Sequence, residues 1–174
     1  MAATFEYNED NGAATGSPAK GTSRTTAVTQ VNWKAVDDVA TGYATAPVNA
    51  GENSFPKYQF GKFTGTFNQI SNGLWAHTAG VLPTGVTLFG AVTSSYATPS
   101  QSATAGLSDI SSVTAITSGA AVLFSTVGPE GASPTATLSA AGYTQYLVTQ
   151  ARTTGAAPTG DSDVLTLTLR YSEN

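Results

Sequence analysis

The chain has 174 residues and no cysteine, and only 10% of it is charged, against about 25% in an average soluble domain. That length suits one domain, and the missing thiols exclude a disulfide framework, a thiolate metal site and a cysteine nucleophile. The net charge is -4 and the basic residues (Lys20, Arg24, Lys34, Lys57, Lys62, Arg152, Arg170) form no run, which excludes the concentrated positive field that recruits nucleic acid and the basic amphipathic helix of a membrane-surface protein.

Residues 1–24 are small, polar and broken by Gly and Pro. They read as a flexible or partner-ordered N-terminal arm, with Phe5, Glu6, Tyr7, Glu9 and Asp10 available to dock on a neighbour. The opening MAATFEYNEDNG lacks the cationic start and apolar run of a signal peptide. Residues 25–36, TTAVTQVNWKAV, alternate with period two and predict a strand. Residues 37–56 read as a long contact loop.

In YQFGKFTGTFNQISNGLW, residues 58–75, Tyr58 and Phe60 share one parity while Phe63 and Phe67 take the other. A strand shows one parity to a core, so the switch predicts either a bulge near Gly61 that turns all four rings inward or, without it, one aromatic parity facing outward as an interface. Gly65 then leaves room for a ring from a facing strand. Asn72-Gly73 predicts a hairpin turn, with residues 74–78 as the return strand.

Further strands are predicted at 86–96 after the turn LPTG, in the short runs 110–117 and 120–126, at 143–152, and at 164–171, where Leu165, Leu167, Leu169 and Tyr171 share one face. Residues 97–109 and VGPEGASPT read as loop and turn. About eight short strands separated by turn signals predict an all-β fold, an antiparallel β-sandwich or jelly roll. It occupies residues 25–174, with the extended N-terminal arm at 1–24.

Chemistry-bearing residues are few. His77 is the single histidine; a triad or a general acid-base histidine would have to be this one, and a half-buried or surface strand histidine is the plainer reading. GSPAKGT, residues 16–22, places Lys20 before Gly21 and so lacks the order of a phosphate loop. Asp37-Asp38 and Asp161-x-Asp163 read as solvated turns rather than a calcium loop. Trp33 and Trp75 read as core rather than a sugar platform. No catalytic, cofactor-binding or metal residue is assigned, no cofactor is expected, and the chain is not expected to be an enzyme.

Three stretches, FGKFTGTFNQISNGLWAHTAG, FSTVGPEGASPTATLSAAGYTQYLVTQ and GDSDVLTLTLRYSEN, resemble the small all-β virion structural proteins of tailed bacteriophages, and most of all the head decoration, or cement, proteins. The resemblance implies a protein made in the host cytoplasm and located in the virion, binding and stabilising the shell of the major capsid protein. It implies a homo-oligomer, trimer or dimer; the scattered basic residues leave no nucleic-acid or membrane partner expected. The resemblance carries no site residues. A tail, neck or fibre-associated component, or a carbohydrate- or receptor-binding β-sandwich, is the alternative; the last requires an exposed Trp75 or Tyr96.

Overall fold

The computed structural model describes residues 2–112, 114–116, 122–160 and 164–174, and every regular element among them is a β-strand. The long strands are β1 (Ala3–Thr15), β2 (Lys20–Thr25), β3 (Lys57–Gly65), β4 (Ile70–Ala79) and β5 (Val86–Thr93). Five short ones follow: β6 (Ser108–Asp109), β7 (Thr114–Ala115), β8 (Phe124–Ser125), β9 (Thr137–Leu138) and β10 (Gly142–Thr144). The chain then closes with β11 (Tyr146–Thr153) and β12 (Thr166–Glu173). The larger sheet runs β2-β1-β3-β11-β5-β6, with β10 joining β3 beside β11 and carrying β8; the smaller runs β12-β4-β7, with β9 also on β4. All pairings are antiparallel. The two sheets pack together as the predicted all-β sandwich.

The rings of β3 explain why the sandwich closes on both sides of its larger sheet. Phe63 joins Phe67, Ile70, Phe124 and Leu138 between the sheets, next to a second interior cluster around Trp75, Leu88, Ile110 and Leu147. Tyr58 and Phe60 point the other way and form a third cluster with Tyr96, Tyr146 and Val148, under the 94–107 segment that supplies Tyr96. Both parities are buried, so the predicted bulge in β3 is not needed and does not occur. The β1–β3 register runs unbroken from Ala3↔Gly65 to Asp10↔Tyr58.

The irregularity sits one strand over. Leu147 pairs with Gln59 on β11 and Tyr143 pairs with Lys62 on β10, so Thr144, Gln145 and Tyr146 face only Phe60 and Gly61. Gly61 has a different task from a phase change: a Cβ there would collide with the Phe5 ring that crosses it. Gly65 adopts a left-handed φ of 91° at the exit from β3 and does not make room for a ring.

Residues 1–24 are not a detached arm. β1 and β2 form a hairpin that adds two strands to the larger sheet, and Asn8, Glu9, Asp10 and Asn11 are buried within it. The domain therefore begins at the first strand rather than at residue 25. The small polar composition concealed this because the partners of these side chains lie far along the chain.

The strand predicted at 25–36 is also corrected. β2 ends at Thr25, and residues 26–56 take an irregular path. Its main chain bonds within the segment, as in Ala35 N to Ala46 O at 2.9 Å. Trp33 packs against the interior and donates Nε1 to Thr149 Oγ1 at 3.0 Å.

Asn72-Gly73 lies inside β4 and forms no hairpin turn. Ser71 pairs with Ser172 and Leu74 with Arg170, so Asn72 and Gly73 bulge opposite Tyr171. Asn72 takes a φ of 54°, and the bare Gly73 admits Phe124 and Val122. Residues 74–78 are a strand, but they return in the opposite sheet against β12 rather than beside β3. β5 and β11 occupy most of the predicted 86–96 and 143–152. β12 turns Leu167, Leu169 and Tyr171 inward, and Leu165 just before it does the same. Val113 and Thr117 of the first short run, Ala120 and Ala121 of the second, and Asp161 and Asp163 lie outside the described residues.

Candidate functional site

Four of the chain's scarce charges, Glu9, Asp10, Lys34 and Lys57, are buried in and around β1. Glu9 and Asn11 share one face of β1, and Lys57 and Gln59 share the matching face of β3, because alternate residues of paired strands point the same way. This is the face turned toward the smaller sheet, with Tyr7 against Trp75 at 5.7 Å between ring centres. Lys57 Nζ donates to Glu9 Oε1 at 3.2 Å and to the Asp38 carbonyl at 3.1 Å. Asn11 Nδ2 donates to the same Glu9 oxygen at 2.8 Å and to Asp37 Oδ1 at 3.0 Å. Gln59 accepts the Tyr7 hydroxyl at 2.7 Å.

The 26–56 segment seals this cluster. Asp37 Oδ2 accepts Gly12 N at 2.6 Å. Buried Lys34 donates to Asp38 Oδ1 at 2.8 Å and to the Thr41 carbonyl. The Lys34 bond, helped by two from Thr41, holds the Asp38 carboxyl well below its ordinary range. Burial, with the Glu9 charge adding to it, pushes the Tyr7 phenol well up.

A second cluster occupies the opposite face of β1. Arg24 grips Asp10 with Nε and Nη2, both at 2.7 Å, and the Tyr146 hydroxyl donates to Asp10 Oδ2 at 2.6 Å. Glu130 approaches Arg24 at 3.6 Å, and the guanidinium lies 4.6 Å over the Phe60 ring. The Asp10 bond raises the Arg24 pKa further. Burial, then the bond to Asp10, pushes the Tyr146 phenol up. Next to it, burial and the charge of Asp37 do the same to Tyr96, whose hydroxyl donates to the Gly12 carbonyl at 2.7 Å.

His77 is fully buried in β4 rather than at a surface. Its Nδ1 lies 2.8 Å from the Ile110 carbonyl and its Nε2 2.8 Å from the Ala79 carbonyl, so both ring nitrogens are occupied by main chain. Trp75 and Tyr96 are 2% and 5% exposed, and Trp33 is half-buried. Asp37 and Asp38 are committed to the protein contacts described above. Among the described residues no group of three or more His, Asp or Glu is arranged to hold a metal ion, and no helix is long and apolar enough to cross a membrane.

The chain matches no family model, no curated protein and no solved structure. The candidate site therefore rests on its own geometry.

Neither cluster was assigned from sequence. One signal was available: Lys57 and Gln59 flank Tyr58 in the most aromatic stretch of the chain. Polar residues alternating with rings in a strand covered on both faces must find buried partners. Which partners they find depends on the β1–β3 register.

Proposed function

We propose that the protein is a non-enzymatic structural component of a virion, a decoration protein that binds and stabilises the shell of a major capsid protein. The observation that carries this reading is where the charges lie. Glu9, Asp10, Lys34 and Lys57 are each 2% exposed or less, while the exposed stretches at 13–18, 139–141 and 154–156 carry only small uncharged residues and proline, with Lys20, Arg24, Glu52, Asp109 and Arg170 as the exposed charges among the described residues. Such uncharged stretches pack against a neighbour without stripping water from ions, which costs several kcal/mol per buried charge. Tight sandwich packing supplies the rigidity a cementing part needs. β2 and β12 each pair on one side only among the described residues, and free strand edges are natural seams for self-association as a dimer or trimer.

The sugar-binding alternative loses the two rings it required, since Trp75 and Tyr96 are interior. Co-sedimentation with tailed-phage heads assembled without this protein is the test. Saturable binding at many copies per head is the expected result. A protein left in the supernatant at every head concentration overturns the capsid role, and density confined to the tail in particle images moves the protein there.

A further inference from the structure

The geometry points to a covalent amide between the Lys57 amine and the Asn11 side chain, formed inside the folded chain with Glu9 as proton carrier. Three facts place the atoms. The β1–β3 register, continued one step beyond Asp10↔Tyr58, sets Asn11 directly opposite Lys57, and such cross-strand pairs lie about 4.5–5.5 Å apart at Cβ. The same oxygen, Glu9 Oε1, is bonded to Lys57 Nζ at 3.2 Å and to Asn11 Nδ2 at 2.8 Å. All three side chains are buried: Lys57 is 1%, Glu9 2% and Asn11 4% exposed.

The chemistry balances without an outside reagent. Glu9 takes one proton from the Lys57 ammonium. The freed amine attacks Cγ of Asn11, a C–N bond forms, and the carbonyl electron pair moves onto Oδ1. Glu9 passes its proton to Nδ2 and accepts the second amine proton in its place. The electron pair returns, the Cγ–Nδ2 bond breaks, and ammonia leaves, taking the proton from Glu9 as ammonium. Nothing is oxidised or reduced.

The fold supplies what this needs. Reacting groups held side by side in one strand pair gain the large rate advantage of an intramolecular reaction. Asp37 Oδ1 holds the leaving nitrogen from its other side at 3.0 Å. The product removes the buried Lys57 charge, and the Glu9 carboxylate keeps the Gln59 amide as a neighbour at 3.4 Å. The competing reaction of an Asn-Gly pair, attack on Asn11 by the Gly12 nitrogen, is opposed because that nitrogen donates to Asp37 Oδ2 at 2.6 Å. The bond would tie the N-terminal hairpin to β3 and close the irregular 26–56 segment into a covalent loop.

The test is the mass of the full chain, purified folded and then denatured, followed by tryptic peptides. The expected chain is lighter than its sequence by one ammonia, about 17 Da, and the peptide ending at Lys20 leaves joined to residues 35–62, uncut after Lys57. Lys57→Arg, which keeps a positive charge opposite Glu9, and Glu9→Gln, which cannot carry the proton, are both expected at full mass. Full mass in the folded wild-type chain overturns the proposal. So does an ammonia loss confined to the peptide ending at Lys20, which marks closure of Asn11 on Gly12, or a loss of water, which marks a carboxylate as the partner. A bond that persists in Glu9→Gln removes Glu9 from the reaction.

Discussion

Asp10→Ala is expected to lower the unfolding free energy by about 3 kcal/mol, the low end of what removing one partner of a buried ion pair costs. The Asp10 side chain is fully buried and Arg24 is 31% exposed, so the guanidinium can turn partly to water, which keeps the loss at that low end. The Tyr146 hydroxyl cannot do so, because Tyr146 is 0% exposed and its remaining partner, Glu130, is 3.5 Å away. An unpaired buried hydroxyl alone costs about 1–3 kcal/mol. A denaturant titration should show the midpoint falling at unchanged slope. Asp10→Asn, which keeps the volume, separates the lost charge from the cavity. A loss below about 1 kcal/mol for the alanine variant would mean that this cluster does not hold β1 and β2 to the sheet.

Alkaline pH should unfold the protein through its buried phenols. Tyr7, Tyr58, Tyr96 and Tyr146 are all pushed up, in each case mainly by burial. An unfolded tyrosine ionises near pH 10. Above that pH the unfolded chain has released protons that the folded chain still holds, so stability falls as pH rises; below about pH 10 these groups leave it unchanged. Each phenol contributes a slope of about 1.4 kcal/mol per pH unit, so Tyr7, Tyr96 and Tyr146, the three raised furthest, together give about 4. Phenolate absorbance and far-ultraviolet circular dichroism, followed together, should show these phenols ionising in the same transition that loses the sheet. Ionisation of every tyrosine near pH 10 with the sheet intact would place these rings at the surface.

Strands whose partners present one clean apolar face were legible in the sequence. The Leu165, Leu167, Leu169 and Tyr171 alternation gives β12, whereas β5 and β11, in the larger sheet, are legible from β-rich runs between turn signals rather than from one apolar face. The aromatic strand is legible but its geometry is not, because parity identifies a bulge only when one face is buried and the larger sheet is covered on both. Asn72-Gly73 makes a bulge in β4 with Asn72 left-handed rather than the expected hairpin turn, since local turn chemistry does not say which sheet the chain enters next.

The N-terminal hairpin was hidden for a related reason. Its buried polar residues look disordered until Lys57, Asp37 and Tyr146 are brought to them, the last separated from Asp10 by 136 positions. The buried charge clusters are illegible on the same ground: composition shows that charges are rare and gives no sign that Glu9, Asp10, Lys34 and Lys57 sit inside.

The account turns on the first strand lying within the sandwich, where it covers β3 and encloses the charges of Glu9 and Asp10. Amide hydrogen exchange over residues 3–15, read residue by residue, tests this most directly. The account predicts that the β1 amides bonded to β3, between Thr4 and Asp10, exchange as slowly as those at the centre of β3 and open only with global unfolding. Exchange of that stretch at the rate of a free chain, with β3 still protected, would contradict it.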